Sequence, residues 1–287
     1  MVESFFLGLT AAVIFGIADL VAGIVARRIS ISRLLLWIHL GGFIFGLPYL
    51  VLATDLGAVS PQLWALFGVL SIMFLGMMST FLKGLQVGSA VVVSPIVSAH
   101  LIIVIPLSTI FLGERLESFQ MLGISIAIVG LFMATLTWQS DTPAGGQVGK
   151  GVSYALLTMV GAGVWIFAIG ALSKEIGWFL PVFLVRTGSF FILIPVQRLA
   201  QAGPWWSPSP KLVFIAIVVG ALQFAGLAAY AAGAQMGSVS LMAATFSIYP
   251  IIPMIGGVIL LRERIVPRQA AGLASVCAGL LVLGITS

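Results

Sequence analysis

The sequence predicts an all-α membrane protein with ten transmembrane helices, arranged as two five-helix repeats of opposite orientation. Composition, the number of apolar runs and a similarity between the two halves predict this fold. Of the 287 residues, 61% are hydrophobic and 7% are charged, whereas soluble domains carry about 25% charged residues. So few charges cannot cover a water-facing surface, which excludes soluble enzymes, disordered chains and nucleic-acid-binding proteins. The net charge of +5 is interpreted as loop charge.

Ten apolar runs are long enough to cross a bilayer, for which about 20 residues are needed. The first run carries Asp19 and has no basic residue before it, so it does not resemble a cleavable signal peptide. All ten are continuously apolar, which favours helices over the alternating strands of a barrel. The predicted spans are residues 5–26, 33–53, 61–83, 88–112, 119–138, 151–173, 178–200, 210–231, 237–261 and 268–286.

The longest polar break, residues 139–150, is rich in small residues, and we expect it to be a flexible linker. It separates a first repeat, residues 1–138, from a second repeat, residues 151–287. Each repeat then contains five spans. Because five is odd, the second repeat enters the membrane from the opposite side.

The two halves resemble each other in register, first at a shift of 147 residues and later at 149. Apolar bias alone would not match polar positions, yet several pairs are polar and identical: Gln86 with Gln235, Glu114 with Glu263, Arg115 with Arg264, and Gln120 with Gln269. Two similar units of opposite orientation form an inverted repeat. That arrangement is typical of secondary transporters, whose substrate site lies near the midplane between the repeats.

A turn with the pattern Leu-Gly-Glu-Arg-Leu follows the fourth span at 112–116, and a related turn follows the ninth span at 261–265. With ten spans and a 5+5 repeat, these turns resemble EamA-type transporters of the drug/metabolite transporter superfamily over essentially the whole chain. The resemblance implies ten helices around a central cavity. It also implies secondary transport, since members of that family export amino acids and other metabolites.

Asp19 in the first span and Arg186 in the seventh are the two charged residues well inside predicted spans. Intramembrane ionisable groups are costly and by default face a cavity or a partner. We expect the Asp19 carboxylate to hold a substrate ammonium or a coupling proton. The guanidinium of Arg186 suits a carboxylate, although each residue has a purely structural alternative, such as an ion pair or a backbone hydrogen bond.

Four neutral residues complete the predicted site. His39 occupies the position of Arg186 in the first repeat, and His100 matches Tyr249 in the second. His100 and Tyr249 lie in spans interrupted by prolines, which bend helices and free backbone carbonyls. We therefore expect His100 and Tyr249 to line the cavity. Trp165 lies deep in the sixth span and could stack on a ligand, although packing explains it equally well.

Other classes of site lack their motifs. The sequence contains no GxxxxGK[ST] loop, so no ATP use is expected, and no acidic or HExxH metal motif is present. The single cysteine, Cys277, excludes an internal disulfide and a cysteine metal cluster. Without a nucleophile–base pair, no enzymatic activity and no cofactor are expected.

Orientation is predicted differently by two arguments. Arg115 and Lys174 lie on the side of the termini, whereas ten basic residues lie on the other side. The positive-inside rule then places both termini outside. The family resemblance implies cytoplasmic termini instead.

The sequence therefore predicts a multi-pass protein of the plasma (inner) membrane that exports small polar metabolites such as amino acids. Alternating access between the repeats, coupled to protons, would drive transport. Expected partners are the substrate and the bilayer, with a monomer or weak oligomer as the state and no nucleic acid. Two alternatives remain: export of hydrophobic cations or drugs, and a membrane protein that transports nothing.

Overall fold

A computed structural model describes residues 2–53, 60–115, 117–135, 145–199, 209–249 and 251–261, with scattered positions between 267 and 282. Every regular element of the described part is a helix. The first half contains α1 (Val2–Ala26), α2 (Ile31–Ala53), α3 (Pro61–Val87), α4 (Ala90–Ser98), α5 (Leu101–Leu112) and α6 (Ser118–Thr135). The second half contains α7 (Gly145–Ile176), α8 (Phe179–Leu199), α9 (Pro210–Met236), α10 (Val239–Phe246) and α11 (Ile251–Leu261).

Helices α3 and α9 begin with the same local chemistry. A proline stands at the first helical position, where its missing N–H is harmless. The preceding serine, Ser60 or Ser209, accepts a hydrogen bond from the backbone N–H three residues later, that of Leu63 or Leu212, at 3.4 Å in both helices. These two starts occupy equivalent positions of the repeat.

Three helices run past the predicted ends of their spans. Helices α3 and α9 continue to Val87 and Met236, and α7 begins at Gly145, so residues 145–150 of the predicted linker are helical. An apolar run ends where the bilayer ends, but backbone hydrogen bonding continues into polar sequence. The remaining linker residues, 139–144, lie outside the described residues.

The fourth and ninth predicted spans are each two helices. In the fourth, the break lies at Ala99 and His100, whose N–H groups bond three residues back to Ile96 and Val97 at 3.1 Å. Pro95 and Pro106 lie inside α4 and α5 instead. Surrounding helices can support a proline within a membrane helix, so the proline positions did not locate the break.

Eight segments of the described chain are long and apolar enough to cross a membrane. The fifth predicted span coincides with α6, whose apolar stretch Met121–Gly130 is shorter. The tenth predicted span and Cys277 lie largely or wholly outside the described residues. Large apolar side chains such as Ile110, Phe214 and Ile259 are more than 60% exposed, as expected of surfaces that face lipid.

Packing pairs helices of one half with helices of the other. Helix α1 packs on α9, α3 packs on α7, and α2 packs on α8 and α9. Backbones touch where α2 crosses α9: a Cβ at Gly41 would fall on the carbonyl of Ile217, and a Cβ at Gly220 would fall on the carbonyl of Ile38. Small residues allow this approach, and it brings the centre of α9 close to the centres of α1 and α8.

Candidate functional site

Asp19 is buried in the middle of the molecule, with 1% of its surface exposed. Ala18 and Ala22 flank it on α1 and are fully buried, since small side chains let α1 lie close to α9. From α9, Nε2 of Gln223 donates a hydrogen bond to Oδ1 of Asp19 at 2.7 Å. The carboxyl group is therefore held by an uncharged amide.

Arg186, on α8, lies at the other end of the same amide. Its Nη2 donates to Oε1 of Gln223 and to the carbonyl of Gly220, both at 3.4 Å. The guanidinium lies over the ring of Phe74, with Cζ 5.7 Å from the ring centroid. Its Nε and Nη1 atoms are buried and have no hydrogen-bond partner among the described residues. Asp19 and Arg186 are thus connected by hydrogen bonds through the side chain of Gln223 rather than by a direct ion pair.

A central cavity of about 380 Å³, its opening included, lies on one side of Asp19. Apart from Asp19 and Thr158, its walls are aromatic, methionine and aliphatic side chains. Trp165 stacks on Phe74 at 4.5 Å between ring centroids, and Tyr249 contacts Phe15 edge-to-face at 5.3 Å. Such walls suit an apolar or aromatic group beside a positive charge.

A second crevice of about 260 Å³ lies on the other side of Asp19. It follows α1 past Gly23 and Ile24 to Arg27, near the end of the helix, with Leu85 and Pro253 as further walls. Asp19 is the residue that lines both spaces. A single carboxyl group therefore borders both the central cavity and a crevice that extends to the end of α1.

His39 and His100 lie beside these spaces without lining either of the two. Nδ1 of His39 donates to the carbonyl of Leu35 at 2.7 Å, and Nδ1 of His100 donates to that of Val97 at 2.9 Å. A carbonyl can only accept, so this contact assigns the proton to Nδ1. The His39 ring lies 5.5 Å from that of Phe74, and the His100 ring lies 6.4 Å from that of Tyr249.

All six predicted site residues therefore lie in one region, but with different surroundings. Asp19, Trp165 and Tyr249 line the central cavity. Arg186 and His39 lie behind Phe74, and His100 lies behind Tyr249.

Sequence reasoning missed Gln223, Phe74 and Phe15. Gln223 had a signal, since an amide inside an apolar span needs a partner there. The two aromatic residues had none, because one phenylalanine in an apolar run looks like another.

The repeat register explains why the site is asymmetric. The register that pairs His39 with Arg186 also pairs Asp19 with Ile166, and the later register pairs Phe74 with Gln223. One copy of each position is thus polar or charged and the other is apolar or neutral. The helical scaffold is present in both halves, whereas the charged groups of the site are present in only one copy.

Glu114 joins the two halves at the side of the membrane where the chain begins. Its carboxylate accepts hydrogen bonds from the N–H groups of Val239 (2.7 Å) and Ser240 (2.9 Å) and from the hydroxyl of Ser238 (2.8 Å). Lys174 completes the contact with an ion pair of 3.1 Å. An acid at a helix N-terminus satisfies free N–H groups and the helix dipole, so Glu114 caps α10 from the other half.

Stability is expected to depend on pH through Glu114. Burial raises the pKa of this carboxyl group, but the hydrogen bonds from Ser240, Val239 and Ser238 outweigh burial and lower the pKa below its ordinary value. A depressed pKa stabilises the folded state above the unfolded pKa, and this contribution disappears as pH falls through the folded pKa. Glu114→Gln should cost about 1–3 kcal/mol at neutral pH. Thermal unfolding in detergent should show the difference from the wild type shrinking in acid, whereas a constant difference would exclude this role of the charge.

No group of three or more His, Cys, Asp or Glu side chains that could hold a metal ion occurs in the described part of the chain.

Comparisons with known proteins give a family and a fold. The model of the EamA-like transporter family matches residues 3–136 and again residues 149–285. A solved crystal structure of a protein superposes with a TM-score of 0.70 at 15% identity, covering 97% of this chain and 95% of that chain. At this identity the likeness shows the fold alone. A search of curated proteins finds no match.

Proposed function

The chain belongs to the EamA-like transporter family and is a multi-pass integral membrane protein, and on that premise we propose that it is a secondary transporter of amino acids with apolar side chains. It exports them across the plasma (inner) membrane in exchange for protons. The observation that carries the proposal is the carboxyl group of Asp19, buried at the wall of a cavity whose other walls are aromatic and aliphatic side chains apart from Thr158. A substrate ammonium and a proton compete for this one group, which couples their movements.

The scaffold of the proposal is a ten-span, 5+5 inverted repeat. Pairing of α1 with α9 and of α3 with α7, which are equivalent contacts under exchange of the two halves, supports it. So do the matching starts of α3 and α9. Rocking of one repeat against the other would expose Asp19 to each side in turn.

The contacts of Glu114 and the crevice beside Asp19 support one direction of opening. Glu114 links the halves at the side of the termini, while the crevice extends to Arg27 at the opposite side. In this conformation the site is closed toward the termini, and exchange requires the Glu114 contact to open.

Binding of the two ends of the substrate is tested by comparing amino acids with the amines that remain after decarboxylation. Asp19 takes the ammonium, the cavity takes the side chain, and the unpaired N–H groups of Arg186 attract the carboxylate once the ring of Phe74, which covers them in this conformation, moves aside. Arg186→Gln should lower amino-acid affinity by about tenfold or more and leave amine affinity within a few-fold. Ligand-induced thermal shifts of the purified protein measure both. An equal loss of affinity for amino acids and for amines would show that Arg186 does not bind the substrate carboxylate.

A second function is favoured by one observation. The central cavity is lined by Asp19 and mainly apolar or aromatic side chains and does not include Arg186, which suits hydrophobic cations without a carboxylate. In that case organic cations stabilise the wild type more than amino acids do, and Arg186→Gln preserves their transport.

A further inference from the structure

Three buried polar side chains from three helices lie in a row at the centre of the molecule. Asp19, Gln223 and Arg186 are at most 1% exposed. The donor end of the Gln223 amide faces the carboxyl group at 2.7 Å, and the acceptor end faces the guanidinium at 3.4 Å. The reverse orientation would point an oxygen at a carboxylate and an NH2 group at a cation, so the two neighbours fix how the amide is turned.

Electrostatics alone would bring the outer two groups together. Opposite charges attract strongly where water is excluded, and a bidentate contact between guanidinium and carboxylate is the strongest arrangement open to them. The structure shows the amide between them instead, and Nε and Nη1 of Arg186 remain without partners among the described residues. Something therefore prevents the two charges from pairing, and the amide of Gln223 occupies the space between them.

We propose that Gln223 is a positioning residue that holds Asp19 and Arg186 one amide apart, so that neither charge neutralises the other. The carboxyl group then remains free to exchange a proton, and both charged groups remain available to the two ends of a substrate that carries an ammonium and a carboxylate. The amide presents the same sequence of groups as such a substrate, a donor toward Asp19 and an acceptor toward Arg186. The identity of the ligand rests on the proposed function, whereas the spacing of the charges does not.

The repeat offers a comparison for a purely structural role. Phe74 stands at the equivalent position of the first half and packs against His39 and Trp165. The position therefore accepts an apolar side chain of comparable size within the same architecture. In that half the helices pack at this position without an amide.

Reaction of Asp19 with dicyclohexylcarbodiimide tests the spacing without any substrate. This reagent adds to protonated carboxyl groups within membranes and spares carboxylates in ion pairs. Labelling of the Asp19 peptide in the purified full-length protein is followed by mass spectrometry from acid to neutral pH. In Gln223→Met, Arg186 reaches Asp19, and labelling at neutral pH should slow about tenfold or more.

A second substitution separates spacing from packing. In the double variant Gln223→Met with Arg186→Gln no cation remains to pair with Asp19, so labelling should return at least to the wild-type rate. Wild-type labelling in Gln223→Met would overturn the proposal, and so would a double variant that labels as slowly as the single one. If Gln223→Met does not fold, Gln223→Asn serves instead. Its shorter amide cannot bridge both groups, so labelling should again slow and should recover when Arg186→Gln is added.

Failure of the proposed function would look different. Amino acids should protect Asp19 of the wild type from the reagent if they are the substrates. In one outcome, amino acids fail to protect Asp19 while labelling is still slow in Gln223→Met and recovers in the double variant. That result would reject amino acids as substrates and would still support Gln223 as the residue that separates the two charges. Protection by amino acids without any effect of Gln223→Met would support amino acids as substrates and reject the positioning role of Gln223.

Discussion

Asp19→Asn is expected to abolish proton-coupled flux in liposomes while leaving a folded protein. The asparagine carbonyl can still accept the 2.7 Å hydrogen bond from Gln223, and the two side chains have nearly the same shape. The variant can neither balance an ammonium nor exchange a proton. Loss of one partner of a buried, hydrogen-bonded charge pair corresponds to about a hundredfold or more in binding, so flux should fall to background.

The control is Glu3→Gln, which makes the same chemical change in the exposed first turn of the same helix. It should transport like the wild type. Monodisperse gel filtration of both variants separates lost transport from lost fold. Proton-coupled flux through Asp19→Asn at the wild-type rate would remove Asp19 from the mechanism.

Gly220→Leu is expected to prevent formation of a stable fold. A Cβ at this position falls on the carbonyl of Ile38, and this backbone atom cannot move without separating α2 from α9. The carbonyl of Gly220 also accepts a hydrogen bond from Arg186, so separation disturbs the site. Overpacking against side chains costs about 1–3 kcal/mol, and a clash with backbone should exceed that range.

Gly68→Leu provides the matched control. Gly68 lies on the exposed face of α3, and a Cβ there meets no atom within 4 Å. The same glycine-to-leucine change should therefore leave yield and melting temperature close to those of the wild type. Equal melting temperatures for the two variants in detergent would show that the α2–α9 crossing is not as tight as the structure indicates.

Much of the site could be predicted because charge inside an apolar run is conspicuous. Asp19 and Arg186 were found in this way, and both lie at the centre. Gln223 was missed because it carries no charge, although an amide in a membrane helix also needs a partner. Phe74 was missed because its importance comes from its neighbours, His39, Arg186 and Trp165, which belong to three other helices.

The contacts of Glu114 also could not be predicted from the sequence. The Leu-Gly-Glu-Arg-Leu turn identified a family, but the motif does not say what its acid binds. Its partners, Ser238 to Ser240, follow more than 120 residues later. A pattern along the chain cannot give a contact between two halves.

The chain by itself determines the helical class, most span positions and the internal repeat, because apolar runs and polar identities are local properties read along one dimension. Tertiary structure alone decides that the acid and the base are joined by an amide, that a phenylalanine ring separates the cavity from the arginine, and where the broken spans turn. Those features depend on how each helix is rotated and how closely its backbone approaches the next. Such geometry arises only when surfaces distant in sequence pack together.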